Sequence, residues 1–321
     1  MEKFLITAIV IAVPTYFYAW LVRSIDRFEK EPASYLLWAF FWGAVPSIVG
    51  GIILQGLLSI PVGTVLGTRS VAGAFAMAAI AAPVTEEILK AIAVAIIYST
   101  RRREFDGWVD GIVYGATAGF GFAYVENILY LVNTTETPSQ WIVLFVVRVI
   151  ALGFMHGFWT ALTGIGFGFA RYLHNPLSKS LVIAAGLAAA ILGHLIHNGS
   201  LVLADATARG EMVVVALVNY LFLAGMLIIL WFIASFRGRK LMQTYLSDEV
   251  PTVLSEEDYK VVSGRRGGRM SAQRRRALTQ AAAELAQKKF QRTKMGEESG
   301  NSQEIDRMRV TLQQISLGTV R

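Results

Sequence analysis

Residues 81–97 read AAPVTEEILKAIAVAII, so Glu86, Glu87 and Lys90 interrupt an otherwise apolar run. Ionised side chains are costly in hydrocarbon, and those found there mark working sites by default. Three more apolar stretches carry polar groups: FAYVEN with Glu126 and Asn127, FMHGFWT with His156 and Thr160, and GHLIHN with His194, His197 and Asn198. Carboxylate and imidazole in a dry pocket suit hydrolysis. A glutamate takes a proton from water while histidines and an amide donate to the developing oxyanion. Alternatively, histidines and a carboxylate hold a zinc ion that acidifies the water. Other designs lack their parts. The chain has no cysteine, no HExxH, no GxSx motif within its apolar segments and no pair of aspartates there.

Helical spacing groups these residues. Glu86 and Lys90, four apart, are expected to pair on one face, with Glu87 turned about 100° away. His194, His197 and Asn198 share a face, as do His156 and Thr160. Glu126 and Arg148, near the outer ends of neighbouring helices, are expected to pair. Glu86 lies 15 residues before Arg101, His156 lies 15 before Arg171, and His194 lies 15 after Lys179. At about 1.5 Å per residue each stands roughly 22 Å from the basic layer at one membrane face. Glu126 and His197 stand slightly higher. A common depth on separate helices favours one shared site.

The elements that position these groups follow from composition. Of 321 residues, 54% are hydrophobic and 17% charged. The apolar residues fall into blocks of about 20 or more, the length that spans a bilayer. The chain is read as an all-α polytopic transmembrane bundle of the cell membrane. Seven spans are expected, near 4–22, 35–58, 71–98, 107–132, 141–170, 179–204 and 211–236. The first is read as an uncleaved span rather than a signal peptide. Glycine and alanine stripes (Gly111, Gly115, Gly119 and Ala123; Gly153, Gly157 and Ala161) predict close helix approach.

Charge sets the orientation. Arg23, Arg27, Lys30, Arg101, Arg102, Arg103, Arg171 and Lys179 fall on one side, against Lys3, Arg69 and Arg209 on the other. The excess places the N-terminus outside and the C-terminus in the cytoplasm. Residues 237–321 hold 17 Lys/Arg against 10 Asp/Glu, which accounts for the whole net charge of +7. The domains are therefore 1–236, the membrane body, and 237–321, a basic and partly helical cytoplasmic tail. Ser255 and Asp258 suggest a helix start, and the tail arginines suit anionic lipid headgroups. Nucleic acid is not an expected partner.

The four motifs EEILK, FAYVEN, HGFWT and HLIHN, in this order, resemble those of PrsW-type intramembrane proteases. That group lies in a superfamily with the CAAX prenyl endopeptidases and bacteriocin-immunity-type membrane proteases. The resemblance spans roughly residues 30–236. It implies an intramembrane endopeptidase in which Glu86 and Glu87 supply the catalytic carboxylate, with Glu86 the base. It further implies that His156 and His194 activate water or bind metal, and that Asn198 assists the oxyanion. Lys90, Asn127, Thr160 and His197 support them. Glu126 departs from the prenyl endopeptidase branch, which has a histidine there, so base, ligand and structural partner all stay open for it. A zinc ion on His156, His194 and Glu126 and a metal-independent glutamate mechanism are both compatible with the resemblance. A membrane-anchored protein, such as an anti-sigma factor, is the implied substrate. The competing classes are a proton- or cation-coupled transporter, for which repeated halves with broken helices are expected and no repeat is evident, and a non-catalytic scaffold.

Overall fold

The computed structural model describes every residue except 27–29, 68, 266–269, 298–299 and 319–321. Arg27, one of the bases used for orientation, lies outside the described residues. Helices and turns account for the described chain, and no strand occurs among them. Each of the seven expected segments is helical: α1 (Glu2–Arg23), α2 (Ala33–Leu66), α3 (71–100), α4 (Trp108–Asn133), α5 (Pro138–Ala170, interrupted by a turn at 152–154), α6 (Pro176–Thr207) and α7 (Glu211–Tyr245). Five of them, α1, α2, α5, α6 and α7, are long and apolar enough to cross a membrane. The other two fall short of that standard. Helix α3 carries three charged residues, and α4 gives up hydropathy to glycine, Glu126 and Asn127.

The chain divides into two compact units, the first being Met1–Ser24 with Glu31–Ile228 and the second Ile25–Lys30 with Ile229–Arg321. In the first, α4 is the central helix, buried along most of its length. It can be central because it has little side chain toward its neighbours. A Cβ built on Gly119 would lie 2.2 Å from the His156 carbonyl oxygen, and one on Gly111 only 2.0 Å from that of Gly164. The stripe on α4 thus seats the second half of α5 at backbone contact. Helix α4 starts at Gly107, where the Asp110 carboxylate accepts the N–H groups of Asp106 and Gly107 at 2.6 and 2.9 Å. Asp110 therefore caps the N-terminus of α4. Phe105, Tyr114, Ala118, Val94 and Ile97 pack one end of the core, and Ile11, Ile128, Leu131 and Val149 pack another.

Three helices carry π-helical turns, at Gly43–Ser47, Ala76–Ala81 and Phe145–Ala151. The second precedes Pro83. Proline has no N–H to return to the carbonyl five residues earlier, Ala78. That carbonyl instead accepts the Asn198 amide at 2.9 Å, which ties α6 to α3 about two turns before the glutamates.

In the second unit, Glu256–Val262 (α8), Ala272–Met295 (α9) and Asn301–Ser316 (α10) close over Met242, Leu246, Leu254, Leu278, Leu285, Ile305 and Leu312. Ser255 caps α8 by accepting the Asp258 N–H at 3.1 Å. Buried Glu249 accepts Lys289 at 2.6 Å and Arg309 at 2.9 Å. The tail therefore has an apolar core of its own, which its helix-forming composition alone did not reveal.

Candidate active site

Glu87 is the hub. It is fully buried, and its carboxylate accepts from Lys90 Nζ at 2.5 Å, His194 Nδ1 at 3.0 Å and Thr160 Oγ1 at 3.0 Å. The sequence-based pairing of Lys90 with Glu86 is corrected here, because the lysine pairs with Glu87, three residues away. Both spacings are allowed on a helix. The choice falls to Glu87 because α5 and α6 bring Thr160 and His194 to the same carboxylate.

Donor and acceptor chemistry then fixes the histidines. A carboxylate beside an ammonium accepts, so His194 carries its proton on Nδ1 and leaves Nε2 as a lone pair. The Lys90 ammonium only donates, so His156 Nδ1 accepts from it at 3.2 Å. His156 Nε2 therefore holds the proton and gives it to Glu126 Oε2 at 2.9 Å. The same oxygen accepts Arg148 Nη2 at 2.7 Å, Arg148 Nε donates to Asn127 Oδ1 at 3.0 Å, and the guanidinium stands 3.7 Å from the Tyr130 ring. One chain of contacts thus runs from Arg148 through Glu126, His156, Lys90 and Glu87 to His194. Its members come from α3, α4, α5 and α6.

Glu86 sits at the end of that chain. It is 7% exposed, and its Oε1 accepts Gln55 Nε2 from α2 at 3.1 Å. Its buried Oε2 has no hydrogen-bond partner and lies 3.9 Å from His194 Nε2. Two acceptors thus face each other across a short gap. Trp159 stacks on the His194 ring with centroids 3.9 Å apart and planes 10° off parallel, fixing the imidazole from the side. Beside the gap is a cavity of about 360 Å³ lined by Gln55, Ala78, Glu86, Phe122, Glu126, Tyr130 and Asn198, among others.

The expected residues are therefore largely brought together, with differences of role. Glu86, His156 and His194 form a group able to hold a metal ion, one ligand atom from each lying within 4.8 Å of the others. Glu126, the carboxylate expected with the two histidines, has its Oε2 engaged with Arg148 and His156. The donor chemistry suits zinc. It is two imidazoles and a carboxylate, with an orphaned Glu86 oxygen and with Glu87 orienting the His194 ring from behind, and His156, whose nitrogens face Lys90 and Glu126, would have to release one of them to bind. His197 stands apart, against Trp159, with no hydrogen bond to either glutamate. Gln55 and Trp159 were missed from sequence. The signal for Gln55 was a single amide within the apolar run GIILQGLL, and Trp159, an aromatic beside His156, gave none.

The fold and site define a multi-pass helical membrane protein built around a buried glutamate–histidine network. A family model described as "PrsW family intramembrane metalloprotease" matches residues 31–231, and the chain belongs to that family. It is 31% identical over 163 residues to Protease PrsW of Geobacillus kaustophilus (strain HTA426), a match covering 50% of this chain and 63% of the relative. It is 35% identical over 124 residues to Protease PrsW of Bacillus subtilis (strain 168), covering 38% and 50% of the two chains. The corresponding protein of Clostridioides difficile (strain 630) is 28% identical over 136 residues, covering 42% and 53%. The chain thus spans 50–63% of the length of these relatives. No solved structure matches it.

Proposed function

We propose that this chain is an intramembrane endopeptidase that hydrolyses a peptide bond in a membrane-anchored protein, with anti-sigma factors the substrate class that the family resemblance suggests. The observation that carries the reading is the orphaned Glu86 Oε2, buried 3.9 Å from the His194 Nε2 lone pair at the edge of a cavity. One water bridges two acceptors at that separation with ordinary hydrogen-bond lengths.

Glu86 Oε2 takes one proton from that water while the oxygen adds to the scissile carbonyl carbon. His194 Nε2 aligns the water through its second hydrogen. Asn198 Nδ2, with one hydrogen on Ala78, has a second to offer the oxyanion. When the C–N bond breaks, the proton held on Glu86 passes to the leaving amine. Glu87, Lys90 and Thr160 hold the imidazoles in their tautomers, and Glu126 and Arg148 brace His156. A zinc ion held by Glu86, His156 and His194 would occupy these same atoms and replace Glu86 as the activator, lowering the pKa of its bound water to about 7.

In this reading residues 1–236 are the protease body, all seven helices cross the cell membrane, and the N-terminus is outside. Residues 237–321 form a basic cytoplasmic region against anionic headgroups.

The test uses the full chain in detergent with a panel of single-span peptides. Wild type is compared with Glu86→Gln and His194→Ala. Loss of cleavage at an unchanged melting temperature supports the reading, and unchanged cleavage by both variants ends it.

A further inference from the structure

Gln55 lies in a stretch of α2 whose neighbours Ile52, Ile53 and Leu57 are exposed apolar residues. An amide there is expensive unless paired. Its Nε2 faces Glu86 Oε1 at 3.1 Å and Thr85 Oγ1 at 3.4 Å. The Thr85 hydroxyl spends its own proton on the Ala81 carbonyl at 2.8 Å, so toward Gln55 it accepts. Both amide hydrogens thus have acceptors, and the orientation of the carboxamide is set. One turn earlier, a Cβ on Gly51 would stand 3.7 Å from Gln55 Nε2 and 4.0 Å from Glu86 Cγ, so α2 passes close to both side chains.

A glutamate carboxylate rotates easily about its last torsion, which is broad and roughly two-fold. The reaction proposed above needs one oxygen facing His194 and free of other partners. We propose that Gln55 is a positioning residue that clamps Glu86 Oε1 and thereby presents Oε2 to His194. The inference rests on Glu86 being the base. Because α2 also lines the cavity through Ile48, Gly51 and Ile52, a substrate strand lying there meets the helix that sets the base.

The test compares Gln55→Met, which keeps length and removes the donor, with Gln55→His, which restores an N–H at similar reach. Leu57→Ala, on the exposed face of α2, is the control. Gln55→Met is expected to lower kcat about 10- to 100-fold with KM within about twofold, a loss confined to chemistry. Gln55→His is expected to recover most of that loss, and Leu57→Ala to match wild type. Wild-type kcat in Gln55→Met, or a change in KM alone, overturns the assignment.

A second readout needs no turnover. The infrared difference between wild type and Glu86→Gln isolates the Glu86 carboxyl band. That band is expected to move in Gln55→Met and to return in Gln55→His, and an unmoved band overturns the clamp. If wild type cleaves no peptide, the protease reading falls, and the infrared comparison still decides Gln55.

Discussion

Glu87→Gln separates stability from chemistry at this site. The substitution keeps the shape of the side chain. The amide oxygen can still accept from Lys90 and His194, and the Thr160 hydroxyl can turn to accept from the new NH₂ group. What changes is charge. Lys90 is fully buried, and its remaining neighbours are His156 Nδ1 at 3.2 Å and the Phe122 ring with its centroid at 4.5 Å. Removing one member of a buried ion pair typically costs about 3–5 kcal/mol, because the other charge stays behind. That is about a hundredfold or more in the folding equilibrium. Lys90→Met is expected to cost a similar amount, by stranding the carboxylate. The double variant Glu87→Gln/Lys90→Met removes both charges, and it is expected to cost no more than either single change. The interaction energy in the cycle then reaches about 3 kcal/mol, the upper end for contacting residues. Unfolding followed by tryptophan fluorescence in mixed micelles measures all four proteins. Cleavage should not recover with stability. His194 Nδ1 no longer faces a carboxylate in the double variant, a loss of about 10- to 100-fold. Additive destabilisation, or a Glu87→Gln protein as stable as wild type, would refute the buried-pair argument. Full activity in the double variant would refute the orienting role given to Glu87.

Gly119→Ala is expected to destabilise by about 1–3 kcal/mol, the usual cost of overpacking, and to abolish cleavage, since the new methyl meets the carbonyl of His156 itself; a retained melting temperature and rate would show that α4 and α5 can part freely. Arg148→Ala is expected to lower stability by about 1–3 kcal/mol through its lost contacts with Glu126 and Asn127, with kcat/KM within about tenfold of wild type; abolished turnover at an intact melting temperature would overturn its structural role. Cleavage is expected to survive chelation, since the proposed step leaves water activation to Glu86 alone; activity lost on chelation and restored by zinc, with a zinc content that disappears from His194→Ala and Glu86→Gln, would make Glu86 a ligand instead.

The convergence of Glu86, His156 and His194 was legible because a helix converts sequence distance into height at a fixed rise. Counting from Arg101, Arg171 and Lys179 placed Glu86, His156 and His194 at one level, and one ligand atom from each does lie within 4.8 Å of the others. The close approach of α4 and α5 was legible for a related reason, since glycine at every fourth position fixes which face has no side chains. What sequence left open was rotation and choice. Glu86 and Glu87 are both within helical reach of Lys90, and the decision was made by Thr160 and His194, groups distant in sequence. Nor does local spacing give the identity of the residue that turns Glu86, because Gln55 reaches it from a helix 31 positions earlier. The two adjacent glutamates consequently look equivalent in the string EEILK and are not equivalent in space. One carboxylate has three donors and fixes its neighbours, while the other keeps an oxygen without a partner. Only the second has an oxygen without any hydrogen-bond partner, and the proposed division of labour between them rests on that difference.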